Sequence, residues 1–138
     1  MTQEEKQLLL KDLCARLPYC IVVLDEPAGY FGKLLRIDAD TVCYEGEEDE
    51  KKQTIWNIKP YLRPMSSMTE EECKTLGNIP ATLENKLIEV LPNIPYYIEV
   101  AVPDQIDWLN AHHFDYRGLI EKGLALEAPE GMYESNFS

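Results

Sequence analysis

The sequence predicts an α+β fold: a small antiparallel, curved sheet or partial barrel, packed by an N-terminal helix, two middle helices and a C-terminal helix pair. Three observations carry that expectation. An amphipathic helical pattern opens the chain, β-branched runs separated by turn residues fill roughly 19–62, and helix-capping signals recur after residue 68. The chain has 138 residues, of which 45% are apolar, so it is expected to form a single domain over 1–138 without help from disulfides or metals.

The opening stretch, "TQEEKQLLLKDLCARL", sets Thr2 and Glu5 at the spacing of a capping box. Leu9, Leu10, Leu13, Cys14 and Leu17 then recur at helical intervals as one apolar stripe, with Lys6, Lys11 and Arg16 on the opposite face. Pro18 ends this helix because it lacks the amide that would continue the ladder. "YCIVVLDE" reads as a strand ended by "PAGYFG", and "KLLRIDADTVCYEG" as a hairpin turning at Asp38-Ala39-Asp40. "EGEEDEKK" reads as a charged loop and "QTIWNIKPYL" as one further strand. Pro60 and Pro64 would place that strand along a sheet edge, since proline cannot donate to a ladder.

"SSMTEEECKTLGN" repeats the capping-box spacing at Thr69 and Glu72, with Gly77 and Asn78 as the stop. "ATLENKLIEVL" gathers Leu83, Leu87, Ile88 and Leu91 on one side of a predicted helix over 82–91, and "YYIEVAV" is another β-type run. Asp104 is the expected N-cap of the next helix, whose apolar face begins with Ile106, Trp108 and Leu109. Asp115 is expected to cap a second helix, with Phe114 and Leu119 at staple spacing and Gly123 as a left-handed terminator. "LALEAP" then suggests a last short strand.

The formal net charge of −12 disfavours a phosphate backbone as partner and favours a basic protein or a cation. Cys14, Cys20, Cys43 and Cys73 are widely spaced with no CxxC pair, so they are expected to be reduced thiols, mostly in the core, of a cytoplasmic protein. The charged helical opening does not read as a leader, and no apolar run approaches the roughly 18 residues of a membrane span.

"DWLNAHHFDYRG" concentrates chemistry-bearing side chains. Neighbouring helical residues point about 100° apart, so His112 and His113 are poorly placed to chelate one ion, and helix junction is the preferred reading. The helix-turn-helix resemblance of this region meets only Arg117 and Lys122 on 116–126, too few donors to read DNA. Ser66-Ser67 lacks the GxSxG context of a serine nucleophile and suits a helix-entry loop. "IDADTVCYEGEEDE" misses the EF-hand register, and no phosphate-cradling glycine loop is present. No catalytic, cofactor-binding or metal-binding residue is therefore assigned. Two stretches stand out as contact surfaces for another protein: the acidic residues Glu45, Glu47, Glu48, Asp49 and Glu50, and the alternating Lys59, Tyr61 and Arg63.

The blocks "LLLKDLCARLPY", "IKPYLRPMSSMTEEE" and "IDWLNAHHFDYRGLIEKGLALEAPEGMY" resemble those of a family of short uncharacterised proteins from gut Bacteroidales and their phages and prophages. The resemblance covers most of the chain except roughly 21–57 and implies a bacterial cytoplasm with a phage origin. It implies no activity, cofactor or functional residue. The expected role is that of a small acidic non-enzymatic accessory protein acting through an unknown protein partner, without direct contact to nucleic acid or membrane. One alternative is a small hydrolase-like or metal-dependent enzyme using His112, His113 and Asp115. Another is an acidic nucleic-acid mimic that occupies a DNA-binding protein.

Overall fold

The computed structural model describes residues 2–77 and 103–133. The helix expected over 82–91 and the β-type run at 96–102 lie outside the described residues. Helix α1 spans Gln3–Arg16, and its start is held by the expected reciprocal cap. The Glu5 amide donates to Thr2 Oγ1 at 3.1 Å, and the Thr2 amide donates to the Glu5 carboxylate at 2.8 Å. One turn of 3-10 helix, Leu17–Tyr19, follows around Pro18 and ends at Cys20 in the left-handed region with φ 58°.

Five strands come next or nearly so: β1 (Val22–Asp25), β2 (Tyr30–Asp38), β3 (Thr41–Glu45), β4 (Glu50–Thr54) and β5 (Ile58–Leu62). Helices α2 (Glu70–Gly77) and α3 (Pro103–Ala111) and the two-residue strand β6 (Leu126–Glu127) complete the described elements. The architecture is α+β. Among the described residues the sheet has six strands in the order β4-β3-β2-β1-β5-β6 and is open, with β4 and β6 outermost. It is also not wholly antiparallel, because β6 runs parallel to β5, pairing Tyr61 with Leu126 and Leu62 with Glu127.

Local chemistry explains most of these elements. Ala39, at φ 55°, makes the tight β2–β3 connection between the two aspartates. The acidic stretch is shorter as a loop than expected, since Glu45 and Glu50 are ladder partners and only residues 46–49 form the hairpin tip. "QTIWNIKPYL" is two strands rather than one, broken by a 3-10 turn at Ile55–Asn57 that lets both Ile55 and Ile58 enter the core. β5 is an interior strand, not an edge. Pro60 is accommodated because β6 begins opposite Tyr61 and never reaches it. Gly32 is required by a close approach: a Cβ there would lie 1.9 Å from the Glu45 carbonyl oxygen.

One face of the sheet meets α1 and the 119–133 segment. Leu9 and Leu13 pack there with Val23, Leu34, Val42, Ile58, Leu62, Leu119 and Tyr133. A second cluster joins α2 to α3 through Leu76, Ile106, Leu109, Phe114 and Tyr116, and Gln105 Nε2 donates to the Leu76 carbonyl at 2.8 Å. Several expectations need correcting. Arg16 is fully buried rather than on the solvent face, and Cys14 and Cys20 are exposed while Cys43 is buried. Helix α3 starts at Pro103, which puts Asp104 inside its first turn.

The expected C-terminal helix pair is a single described helix followed by turns over 112–125. His113 at φ 64°, Gly118 at φ 74° and Gly123 at φ 74° each interrupt the right-handed path that a helix needs. Phe114 and Leu119 pack in different clusters and form no staple. Among the described residues no helix is long and apolar enough to cross a membrane.

Candidate functional site

Among the described residues, chemistry-bearing side chains gather in the 112–117 segment, and exposed apolar ones on the outward face of the sheet. The first is built around α1. Asp12 and Arg16 sit one turn apart, and Arg16 Nε donates to Asp12 Oδ2 at 2.9 Å with both side chains fully buried. Arg117 donates from across the fold to Asp12 Oδ1 at 2.7 Å, so one carboxylate serves two guanidinium groups. The remaining reach of Arg16 ties α1 to the segment, with Nη2 donating to the Phe114 carbonyl at 2.6 Å. Tyr116 lies against both arginines, 5.5 Å from Arg16 and 4.6 Å from Arg117, and its hydroxyl donates to Asn110 at 3.1 Å.

The two histidines and Asp115 do not converge. His112 stacks on Trp108 with ring centroids 4.0 Å apart, and its Nδ1 lies 2.8 Å from the Trp108 carbonyl oxygen. His113 turns to the other side and stacks on Tyr133 at 3.9 Å. Burial, reinforced by the Arg16 charge, lowers the His113 pKa to about 3, so the ring is neutral at ordinary pH. Tyr133 closes that side by donating its hydroxyl to the Tyr61 carbonyl at 2.7 Å and accepting from the Val22 amide at 3.1 Å; burial pushes its pKa up.

The carboxylate of Asp115 accepts from the Leu119 and Ile120 amides at 2.8 and 3.0 Å. It is thus a cap, as expected, but of a turn. Burial raises its pKa against the lowering effect of those two amides. Among the described residues no group of three His, Cys, Asp or Glu side chains is placed to hold a metal ion. Ser67 Oγ donates to the Pro64 carbonyl at 2.7 Å, which makes it part of a turn.

The expected contact residues divide between two places. Glu45 and Glu50 end β3 and β4, with Glu47, Glu48 and Asp49 at the tip between them, and Glu50 is bound by both terminal nitrogens of Arg36. Lys59 and Tyr61 do share one face of β5, next to Arg63 just past its end. Lys59 lies 3.4 Å from Glu26. The Tyr61 ring meets Phe31 edge-on at 6.4 Å. Arg63 is held by a bidentate pair to Glu72 at 2.8 and 2.7 Å and lies 4.0 Å over the Phe114 ring.

The register places Leu24 opposite both Phe31 and Lys59, and Val22 opposite Lys33, which puts all five on the face opposite the Val23–Leu34 core. Leu35 sits where the β2–β3 register shifts, between Leu34 paired with Tyr44 and Arg36 paired with Cys43. Phe31 is 62% exposed and Leu35 43% exposed on this central strand. Tyr30 and Trp56 are exposed too, but each has a lysine ammonium near its ring, Lys51 at 5.6 Å and Lys6 at 4.6 Å. The period-two spacing of Phe31 and Lys33 was the available signal for this face, and composition alone did not raise it. No family model, curated protein or solved structure matches the chain.

Proposed function

We propose that the protein is a non-enzymatic accessory protein that binds another protein through the outward face of its sheet. The observation that carries this reading is Phe31: a large aromatic side chain on an interior strand, 62% exposed, with Leu35 43% exposed further along the same strand. Leu24 lies opposite Phe31 and the Tyr61 ring meets it edge-on, while Lys33 and Lys59 add positive charge to the same face. The acidic tip, Glu47, Glu48 and Asp49 between Glu45 and Glu50, projects from one end of the sheet and suits a role in steering a basic partner. The neutral, stacked His113 and the amide-bound Asp115 support a joining role for the 112–117 segment over a reactive one. The setting, following the sequence resemblance, is the cytoplasm of a gut Bacteroidales host carrying phage-derived genes.

The test uses the tagged full chain in host lysate, followed by titration of the purified pair. Phe31→Ser combined with Leu35→Ser is expected to weaken the recovered partner's Kd at least tenfold while the urea midpoint stays near that of the parent. Replacing Glu47, Glu48 and Asp49 by their amides is expected to slow association and flatten its salt dependence. A partner that binds both variants as tightly as the parent overturns the reading.

A further inference from the structure

We infer that the partner meets the outward face of the sheet with an acidic, amphipathic segment, its carboxylates set on either side of an apolar centre and seated on Lys33 and Lys59. The inference rests on the reading of that face as a protein-binding surface and names what the surface selects. Strand pairing fixes two rows. Leu24 on β1 stands opposite both Phe31 on β2 and Lys59 on β5, and Val22, two residues earlier on β1, stands opposite Lys33. Tyr61 follows Lys59 on the same face of β5. Two strand spacings, about 10 Å, separate β2 from β5. The Phe31 and Tyr61 rings nevertheless meet edge-on at 6.4 Å, so they lean together over β1. The lysines occupy the other diagonal of the same patch and flank the aromatic pair on opposite sides, with backbones roughly 12 Å apart by strand geometry.

Charge selects the occupant. The chain carries a net charge of −12, yet these two rows present two ammonium groups and no carboxylate. Lys33 is exposed and, among the described residues, in no ion pair. Lys59 lies 3.4 Å from Glu26, a long contact that a second carboxylate can share. Arg36, further along β2, already holds Glu50 with both terminal nitrogens. An apolar surface laid on Phe31 and Tyr61 strips water from the neighbouring lysines, and carboxylates beside it restore the lost solvation as counter-charge. A basic segment would leave those charges uncompensated. Two helical turns span about 11 Å, so a helix with acids seven residues apart and apolar side chains between them matches the lysine spacing. The anionic field of the whole chain repels an acidic body, so the acidic segment is a local feature of a partner that is basic where it meets the 46–49 tip. A phosphate backbone fits less well, because Glu45 and Glu50 stand on the neighbouring strands.

The experiment pans a randomised displayed peptide library against the full chain, with Phe31→Ser as the counter-target, and titrates the selected peptides by fluorescence anisotropy. Peptides that need Phe31 should carry Asp or Glu on both sides of an apolar centre. Lys33→Glu with Lys59→Glu should weaken them at least tenfold while the urea midpoint stays near that of the parent. The same peptides with their acids changed to lysine should bind this doubly reversed variant at least tenfold more tightly than they bind the parent, a gain that misfolding cannot produce. Phe31-dependent peptides that lack acids, or that tolerate the reversal, overturn this inference and leave the protein-binding reading standing. A library that yields no Phe31-dependent peptide overturns both. Binding of a mixed-sequence single-stranded DNA through Phe31 and both lysines would assign the charge to phosphate and also overturns it.

Discussion

Replacing Asp12 by alanine should damage this fold more than any surface charge change, and the size of the effect follows from its surroundings. The carboxylate is fully buried and accepts from Arg16 at 2.9 Å and from Arg117 at 2.7 Å, whose side chains are 0% and 6% exposed. Removing it leaves two guanidinium groups facing each other in the interior without a counter-charge. Breaking one buried pair in this way costs about 3–5 kcal/mol, a large part of the roughly 5–15 kcal/mol that holds a domain of this size. With a urea slope near 2 kcal/mol per molar, the midpoint should fall by about 1.5–2.5 M. Asp12→Asn retains one acceptor and should cost less. Asp40→Asn, which removes the partner of Lys6 on the surface, serves as the control and should cost at most about 1 kcal/mol. A double-mutant cycle of Asp12→Ala with Arg117→Ala should return a coupling of about 1–3 kcal/mol. A loss below about 1 kcal/mol for Asp12→Ala, or no coupling in the cycle, would refute the view that this carboxylate clamps α1 to the C-terminal turns.

Three further outcomes are expected. His113 should make stability depend on pH. Its folded pKa is lowered to about 3 by burial, so the unfolded chain takes up a proton below about 6.5 that the fold refuses. Stability should be complete above pH 6.5 and fall by roughly 3–5 kcal/mol toward pH 3 from this group. Asp115, raised by burial, acts with the opposite sign, so the contribution is read as the difference in urea midpoints between parent and His113→Asn across pH 7 to 4. Gly32→Ala should destabilise by about 1–3 kcal/mol, because the atom it meets is the backbone carbonyl of Glu45 and cannot rotate away; thermal melting of the pair would show it. Thr2→Ala should cost about 1 kcal/mol through loss of the α1 cap, and Thr2→Ser should restore it in the same denaturation series.

How much of this molecule could be read from its sequence depended on how far apart the deciding atoms lie along the chain. Signals completed within a few residues were legible. The caps at Thr2–Glu5 and Thr69–Glu72, the turn at Ala39 and the left-handed Gly123 all appear where the spacing places them. The second helix of the C-terminal pair was misread because its cap and terminator were both genuine. Asp115 does bind amides and Gly123 does turn left-handed, but Gly118 turns as well, and Asp115 reaches residues four and five positions on. The strand split at Ile55–Asn57 and the interior place of β5 depend on neighbours that local alternation does not encode.

By itself the sequence determined the α+β class, the start of the first helix, the hairpin turning at Asp38-Ala39-Asp40 and the acidic balance, since propensity, capping and charge act over one or two turns. Only the tertiary structure decided that Arg16 is interior, because its burial depends on Asp12, Phe114 and Arg117, the last 105 residues from that aspartate. It also decided that Phe31 faces outward. A one-residue change of register inverts every side chain of a strand, and the register of β2 is set by pairing with β1 and β3 together.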